Sequence, residues 1–522
     1  MATTGPTNRK PNLPLALFLG GLAVLLLSGA IIYGRAHRAP ALFAKTTANP
    51  KPDVIGSALA AAKRLNYVQV NPLAAVRLAQ EGAEVRLPLF RGETHTFLVE
   101  QVSQNQDGST TSVGPLKGQP ESQAILVAGG GSLAGSIHFP DGRLYVLYPL
   151  PNQVLAVMEV APEFQPDCEH ARSRPIYSPD GKAVMAFQTV RMDRAIQSGR
   201  IHLRQPTVRP SSSEDLKSSF IQALLRRNQP TSKSGTTTTV TTATKPTATK
   251  PTVSKPTPPS NPNGGTTLAV KPAGKGTNNT STPAAKPKSG TIDILAAYTP
   301  GAVAKHGGVT NVQNMINLAV AQANTAFKNS QIKTTLRLVH TTQVEHSASS
   351  IIEDLTAITS GSSAAMKQLH QLRKEHKADL VSLFTEGHGS SAVGVAWLGT
   401  GSMPQYGFSA VELWATPMMT FAHEVGHNLG CAHNVGDKGI YSDSVGHRFN
   451  ATAASGASQT GQASQTQYRS VMSYSPGSRV LHFSNPSVKY NGTATGVKDT
   501  ADNARTINQT TDTIVKYSES LK

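Results

Sequence analysis

The sequence predicts an α/β domain over residues 291–522, preceded by a smaller β-rich domain over 61–227. Three observations carry that expectation. In 291–522, short apolar runs of strand character alternate with longer stretches whose apolar residues recur at helical spacing. In the N-terminal half, short apolar runs of period two are broken by Gly, Asn and Asp. Between the two lies a low-complexity stretch, 228–290, built from Thr, Lys and Pro.

The chain begins with an apolar run, 13–33, behind Arg9 and Lys10. Its densest part, 15–27, has the length of a signal-peptide core, and Ser28-Gly29-Ala30 offers small residues for cleavage. The full run is also just long enough to span a bilayer. Arg35 and Arg38 follow it, which disfavours translocation of the C-terminal side. Residues 1–33 are therefore either a cleaved signal or a single-pass anchor. In both cases the remainder is expected outside the cytoplasm, secreted or held at the cell surface. Residues 34–60 are a polar lead.

In 61–227 the strand candidates include Glu84-Val85-Arg86-Leu87-Pro88-Leu89-Phe90, Ala124-Ile125-Leu126-Val127 and Arg143-Leu144-Tyr145-Val146-Leu147. A short helix is expected near 214–227, ending in Arg226-Arg227. The repeats Thr244-Lys245-Pro246-Thr247 and Thr249-Lys250-Pro251-Thr252 cannot bury enough apolar surface to offset ordering entropy, so 228–290 is expected to be a disordered linker open to proteases. In 291–522 the expected elements are a strand from Thr291, a helix over 312–329, a strand over 333–340, helices over 350–359 and 364–376, and strands over 378–384 and 394–398.

The chain has 522 residues, 38% hydrophobic and 15% charged, which fits a globular protein with a biased insert and excludes a coiled coil or a polytopic membrane protein. The net charge of +18 is not a nucleic-acid footprint. Much of it comes from isolated lysines such as Lys233, Lys245, Lys250 and Lys255, without interleaved aromatics. The two cysteines, Cys168 and Cys431, make neither a disulfide scaffold nor a zinc finger.

Chemistry concentrates after Thr416-Pro417, which has the form of a helix start: a capping hydroxyl and then Pro. His423 and His427 follow, four residues apart, so both imidazoles fall on one helix face and can share a metal. Glu424 lies beside them, placed to reach a water rather than to ligate. Gly430 can leave the right-handed helix without a Cβ penalty and let the chain bring back His433 as a third ligand. Three neutral imidazoles leave a fourth position for water, as catalytic zinc requires. The pattern is more specific than the His-pair alone.

Downstream, Ser470-Val471-Met472-Ser473-Tyr474 resembles the methionine turn of the metzincin superfamily. Ile292-Asp293-Ile294-Leu295-Ala296-Ala297-Tyr298-Thr299-Pro300, Asn324-Thr325-Ala326-Phe327, Phe483-Ser484-Asn485-Pro486 and Ala501-Asp502-Asn503-Ala504-Arg505 resemble bacterial reprolysin-type enzymes, most nearly the peptidyl-Asp metalloendopeptidases. The resemblance covers essentially all of 291–517, and 60–160 is more weakly similar to the propeptides of those enzymes. It implies a metzincin catalytic domain with a mixed, mostly parallel twisted sheet and a long active-site helix. It also implies one catalytic Zn2+ on His423, His427 and His433, Glu424 as general base, and Met472 as soft support beneath the metal. Tyr474, two after Met472, resembles instead the astacin and serralysin branches, which implies a partner of the metal or the oxyanion, a core tyrosine being the alternative. The implied activity is zinc-dependent peptide-bond hydrolysis on protein or peptide substrates, by an enzyme made as a zymogen. Substrate would add itself to an edge strand at 393–398, where Trp397 is either core or substrate platform. Asn434 departs from the family, which has Asp after the third histidine.

Cys168 ends the propeptide-like region and is a candidate latency switch, an inert thiol, or a disulfide partner of Cys431. Two other functions stand beside the peptidase: a catalytically inactive protease-fold surface or adhesion protein, and a zinc hydrolase acting on a non-protein substrate.

Overall fold

The computed structural model describes residues 39–46, 58, 61–162, 167–168, 176–177, 183–184, 186–190, 290–388, 392–399, 403–437, 439–452 and 465–521. The expected signal or anchor, the helix at 214–227 and the linker 228–290 lie outside the described residues. All described residues fall in one compact unit, formed by Met1–Pro206 together with Ala285–Lys522. No helix among them is long and apolar enough to cross a membrane.

Ten antiparallel strands form the N-terminal sheet. They are β1 (Phe43–Lys45), β2 (Ala62–Val70), β3 (Glu84–Phe90), β4 (Glu93–Leu98), β5 (Gln101–Gln104), β6 (Thr110–Leu116), β7 (Gln119–Gly129), β8 (Ser132–His138), β9 (Leu144–Pro149) and β10 (Val154–Val160). Their order is β1-β2-β10-β9-β8-β7-β6-β4-β3, with β5 beside β6. The polar lead thus contributes a strand, because Phe43 and Leu42 pack into the same cluster as Leu87 and Leu147. The central strands are apolar on both faces. In β7, Ala124 and Leu126 join the cluster inside this lobe, while Ile125 and Val127 join the core of the rest of the molecule. Strands buried on both sides read as continuous apolar runs.

The second sheet holds β15 (Thr291–Tyr298), β16 (Thr335–Gln343), β17 (Leu380–Thr385), β18 (Ala392–Trp397) and β19 (Phe408–Glu412). Strand β15 is parallel to β16 and β17, and β17 is parallel to β19. Strand β18 is antiparallel to β19. The sheet does not stop there. Four short strands come from the N-terminal half: β11 (Asp167–Cys168), β12 (Ile176–Tyr177), β13 (Ala183–Val184) and β14 (Ala186–Val190). Of these, β14 pairs antiparallel with β18, and β11 with β14. The strand expected as an open edge is therefore covered.

Helices α1 (Pro300–His306), α2 (Val309–Asn329), α3 (Ile351–Ser360), α4 (Ala364–Glu375), α5 (Thr420–Asn428) and α6 (Asn503–Ile514) pack on the sheets. Thr299, Ser350, Ser363 and Asp502 cap four of them, each accepting a backbone N–H in the first turn. Helix α2 lies against both β7 and β8 of the lobe and β16 of the second sheet, and α5 packs on it. Its burial is accordingly nearly continuous around its axis.

One expected element differs. The helix carrying His423 does not start at Thr416-Pro417 and is not long. Leu413–Met418 forms a 3-10 turn with Pro417 inside it, Met419 adopts a left-handed φ of 67°, and α5 starts at Thr420. The left-handed residue breaks the helical path. The buried Thr416 hydroxyl caps nothing and has no hydrogen-bond partner among the described residues.

His306 gives the fold an acid sensitivity. It is buried against Tyr148, with ring centroids 5.8 Å apart, and neither ring nitrogen has a hydrogen-bond partner among the described residues. Burial pushes its pKa from 6.5 to about 3. The unfolded chain then binds the proton more readily than the folded one between those values. Stability is full above pH 6.5 and is lost as pH falls towards 3. Urea unfolding of wild type and His306→Leu at pH 7 and pH 4.5 is expected to show the variant spared roughly 2–3 kcal/mol of the acid loss. An equal loss in both would mean that His306 titrates as it does in water.

Candidate active site

The first turn of α5 places His423, and the next turn places His427 on the same face. Their Nε2 atoms are 3.1 Å apart. Gly430, at φ 92°, ends the helix and turns the chain. The return is tied down by Ala432 N–H donating to Ser444 O at 2.7 Å and Gly446 N–H donating to His433 O at 2.8 Å. This brings His433 Nε2 to 3.0 Å from His427 Nε2. Ligand atoms of all three histidines lie within 4.8 Å of one another, and all three residues are buried.

The far nitrogens decide the chemistry. His423 Nδ1 donates to Val471 O at 2.9 Å, and His427 Nδ1 donates to Cys431 O at 2.7 Å. His433 Nδ1 stands 2.5 Å from the Tyr474 hydroxyl and 3.6 Å from an Asp437 carboxylate oxygen. With its proton on Nδ1, each ring turns a bare Nε2 lone pair inward. Burial holds His423 well below the usual histidine range, with the neighbouring His427 and His433 adding to it, and holds His427 at about 3. Three neutral, converging lone pairs suit a divalent cation with affinity for nitrogen and little else.

Glu424 is fully buried beside this cluster. Its carboxylate lies against the backbone of β18: a Cβ on Gly394 would come within 2.3 Å of Glu424 Oε1. Beneath α5, a Cβ on Gly426 would come within 2.4 Å of Met472 Sδ, so the methionine packs directly under the turn that separates His423 from His427. Asn434 shows how the departure from Asp is accommodated. Its Oδ1 accepts from Ser473 Oγ at 3.1 Å and Tyr474 N at 3.3 Å, joining the third histidine to the Met472 turn through a carbonyl oxygen that needs no charge.

The structure thus brings together His423, Glu424, His427, His433, Met472 and Tyr474. Tyr474 is stacked on the His433 ring at 4.2 Å with its hydroxyl on the side away from the converging nitrogens. Trp397 is core: it is buried and donates to Thr359 Oγ1 at 2.7 Å. Cys431 is a free, buried thiol pushed far up by burial. Cys168 lies in β11, its backbone two strands out from Gly394 through Thr189. Sequence reasoning missed Gly394 and Asp437. The signal for Gly394 was a glycine inside a strand pattern, which marks a close approach.

Residues 289–500 match the family model described as metallo-peptidase family M12B, reprolysin-like. A peptidyl-Asp metalloendopeptidase of Stenotrophomonas maltophilia strain R551-3 is 33% identical over 235 residues, 44% of this chain and 52% of that protein. One from strain K279a is 32% identical over 234 residues, again 44% and 52%. A third, from Xanthomonas campestris pv. campestris, is 30% identical with the same coverage. The chain spans about half the length of these curated relatives. The histidine triad that could hold a metal lies within the matched stretch, and residues 289–500 are thus similar, in sequence and in site, to the reprolysin-like domains of metallopeptidase family M12B.

Proposed function

We propose that this chain is a zinc-dependent metalloendopeptidase with Glu424 as its general base. The observation that carries the reading is the convergence of three outward-tethered imidazoles beside a buried carboxylate. His423, His427 and His433 would hold the ion through Nε2, and zinc, when bound, supplies Lewis acidity towards the scissile carbonyl and acidifies water. Glu424 accepts the proton of the attacking water and passes it to the leaving amine. Gly394 leaves room for that carboxylate beside β18. The relatives' printed name makes peptides containing aspartate the first substrates to assay.

Tyr474 acts in this reading first as a positioning residue, holding the His433 ring by its Nδ1. A role as oxyanion donor requires the phenol to leave that contact when substrate arrives.

The zymogen reading is supported by β14. An extended peptide adds to an open strand edge by backbone hydrogen bonds. The outer edge of β18, next to Glu424, is taken by Ala186–Val190, with Thr189 opposite Gly394. The chain's own segment stands where substrate would stand. We place maturation in 228–290 and the enzyme's action outside the cytoplasm, secreted or anchored through 1–33. Cys168 keeps its three readings, although the free Cys431 favours a thiol over a disulfide.

Glu424→Gln is expected to keep stoichiometric zinc and lose about 10²–10⁴ in kcat, the usual share of general acid–base catalysis. His427→Ala is expected to lose the metal, which plasma emission reads directly. Zinc retained with wild-type turnover in Glu424→Gln would sink the mechanism; bound zinc with no proteolysis in the processed wild type would favour the inactive surface protein.

Tyr474→Phe separates its two roles. As a positioning residue it should weaken zinc affinity about 10–100-fold, read by chelator competition. As an oxyanion donor alone it would leave affinity intact and lower kcat by about 10²–10³.

Full-length Cys168→Ser is expected to be active without processing only if the thiol enforces latency. Equal latency in variant and wild type assigns the block to the β14 strand.

A further inference from the structure

The joint between the N-terminal sheet and the rest of the molecule has the make-up of a protein interior. At 100° per residue, Asn311, Asn314, Leu318, Gln322 and Asn329 of α2 fall on one side of the helix. That side faces the lobe. Asn314 Nδ2 donates to Gly129 O at 3.2 Å, Gln322 Nε2 to Ser136 Oγ at 3.0 Å, and Asn329 Nδ2 to Gln123 Oε1 at 2.7 Å. Asn311 Oδ1 accepts from Ser132 Oγ at 2.5 Å. Asn317, further round, donates to Asp107 Oδ2 at 2.8 Å. Outside the helix, Tyr468 OH and Asn491 Nδ2 donate to Pro140 O at 2.9 and 2.7 Å.

The surfaces meet closely at several points, although cavities of about 590 Å³, beside Thr111 and Lys328, and about 240 Å³, beside Phe139 and Leu481, lie between them. A Cβ on Gly130 would come within 2.6 Å of Thr310 Cγ2, one on Gly307 within 2.7 Å of Pro151 Cγ, and one on Gly142 within 2.7 Å of Ser478 Oγ. Between the amides, Met315 and Leu318 are fully buried and share one apolar cluster with Ile125, Val127 and Ala134 of the lobe. Removing the lobe would expose Met315, Leu318, Ile125, Val127 and Ala134 to water and exchange the amide contacts for hydration, so the apolar surface uncovered opposes separation. Gln322 links the joint to the active site. The Nε2 that donates to Ser136 also donates to Pro417 O at 2.8 Å, in the 3-10 turn from which α5 springs.

We propose that residues 39–162 are a permanent second subunit of the processed protein. Cutting the linker yields a two-chain enzyme in which the lobe stays seated on α2 and supports the turn that presents His423. The occupant of this face is the chain's own N-terminal sheet. The association is independent of the reaction catalysed, and it is separable from the β14 strand, which reaches the molecule at a different place.

The test uses the full chain with two inserted sites for different sequence-specific proteases, one within 228–290 and one within 169–175. After the first cut, and again after both, the sample is diluted to about 0.1 μM and examined by native mass spectrometry and size exclusion. The expected result is co-elution of the lobe with 290–522 after both cuts. It should persist in 1 M NaCl, because the bonds run chiefly through amides and hydroxyls that salt does not screen. Asn317→Ala/Gln322→Ala should weaken retention at least about tenfold, read from the dilution series, by leaving buried partners unmade. Release of the lobe on the second cut alone would show that β14 had held it, and would overturn the proposal. Separation after the first cut would overturn it too, and neither result bears on whether the enzyme is a zinc peptidase.

Discussion

Three nitrogen lone pairs aimed at one point repel one another, and the molecule around residues 423–433 is organised to hold them there. Each imidazole is pinned from behind: His423 by the carbonyl of Val471, His427 by that of Cys431, and His433 by the Tyr474 hydroxyl. Those three partners come from the Met472 turn and from the chain just past Gly430. Neither segment is positioned without the other. Asn434 ties them together, and Met472 fills the space under Gly426. Disturbing the turn therefore rotates a ligand before it exposes one. A metal ion held by the three histidines would offset that repulsion, which would couple binding to local order.

The same logic explains why α2 is polar where a core helix is ordinarily apolar. It is wedged between two sheets, and its amides pair with backbone and hydroxyl groups of strands that cannot pair with each other across the helix. Buried amides fix register where apolar contact alone would allow sliding. The position of the lobe is thereby specified, and through Gln322 so is the turn ahead of the metal ligands.

The metal site was legible in the sequence because its determinants are local: an i,i+4 pair, a glycine that leaves the helix, and a third histidine shortly after. Strands β15 to β18 and helix α2 were legible for the same reason, since each carries its period within a short window, whereas β19 was not expected. What supports the site was not. Val471 and Cys431 act through backbone carbonyls, which have no side-chain signature. The start of α5 was misread because Thr416-Pro417 has the local form of a cap, while the left-handed Met419 that breaks the path has none. The expected open edge at 393–398 was paired instead by residues from some two hundred positions earlier, a non-local pairing that no window along the chain contains. The extra strand from the polar lead escaped notice because, among the described residues of that stretch, only Leu42, Phe43 and Ala58 are buried, too few to set a period.

The strand at β14 has a kinetic consequence. An occupant carried on the same polypeptide meets its edge at an effective concentration set by chain length, and this does not fall when the protein is diluted. A block of this kind, under the zymogen reading, would be first order and indifferent to how much protein is present. A cut on its C-terminal side leaves it anchored through β11 and the lobe, whereas cuts on both sides turn it into a separate peptide that pairs with β18 through only Ala186–Val190. Such a peptide offers only a handful of backbone hydrogen bonds against its lost freedom, and it dilutes away. The cleft then opens only once the chain has been cut on both sides of β14, whichever cut comes first.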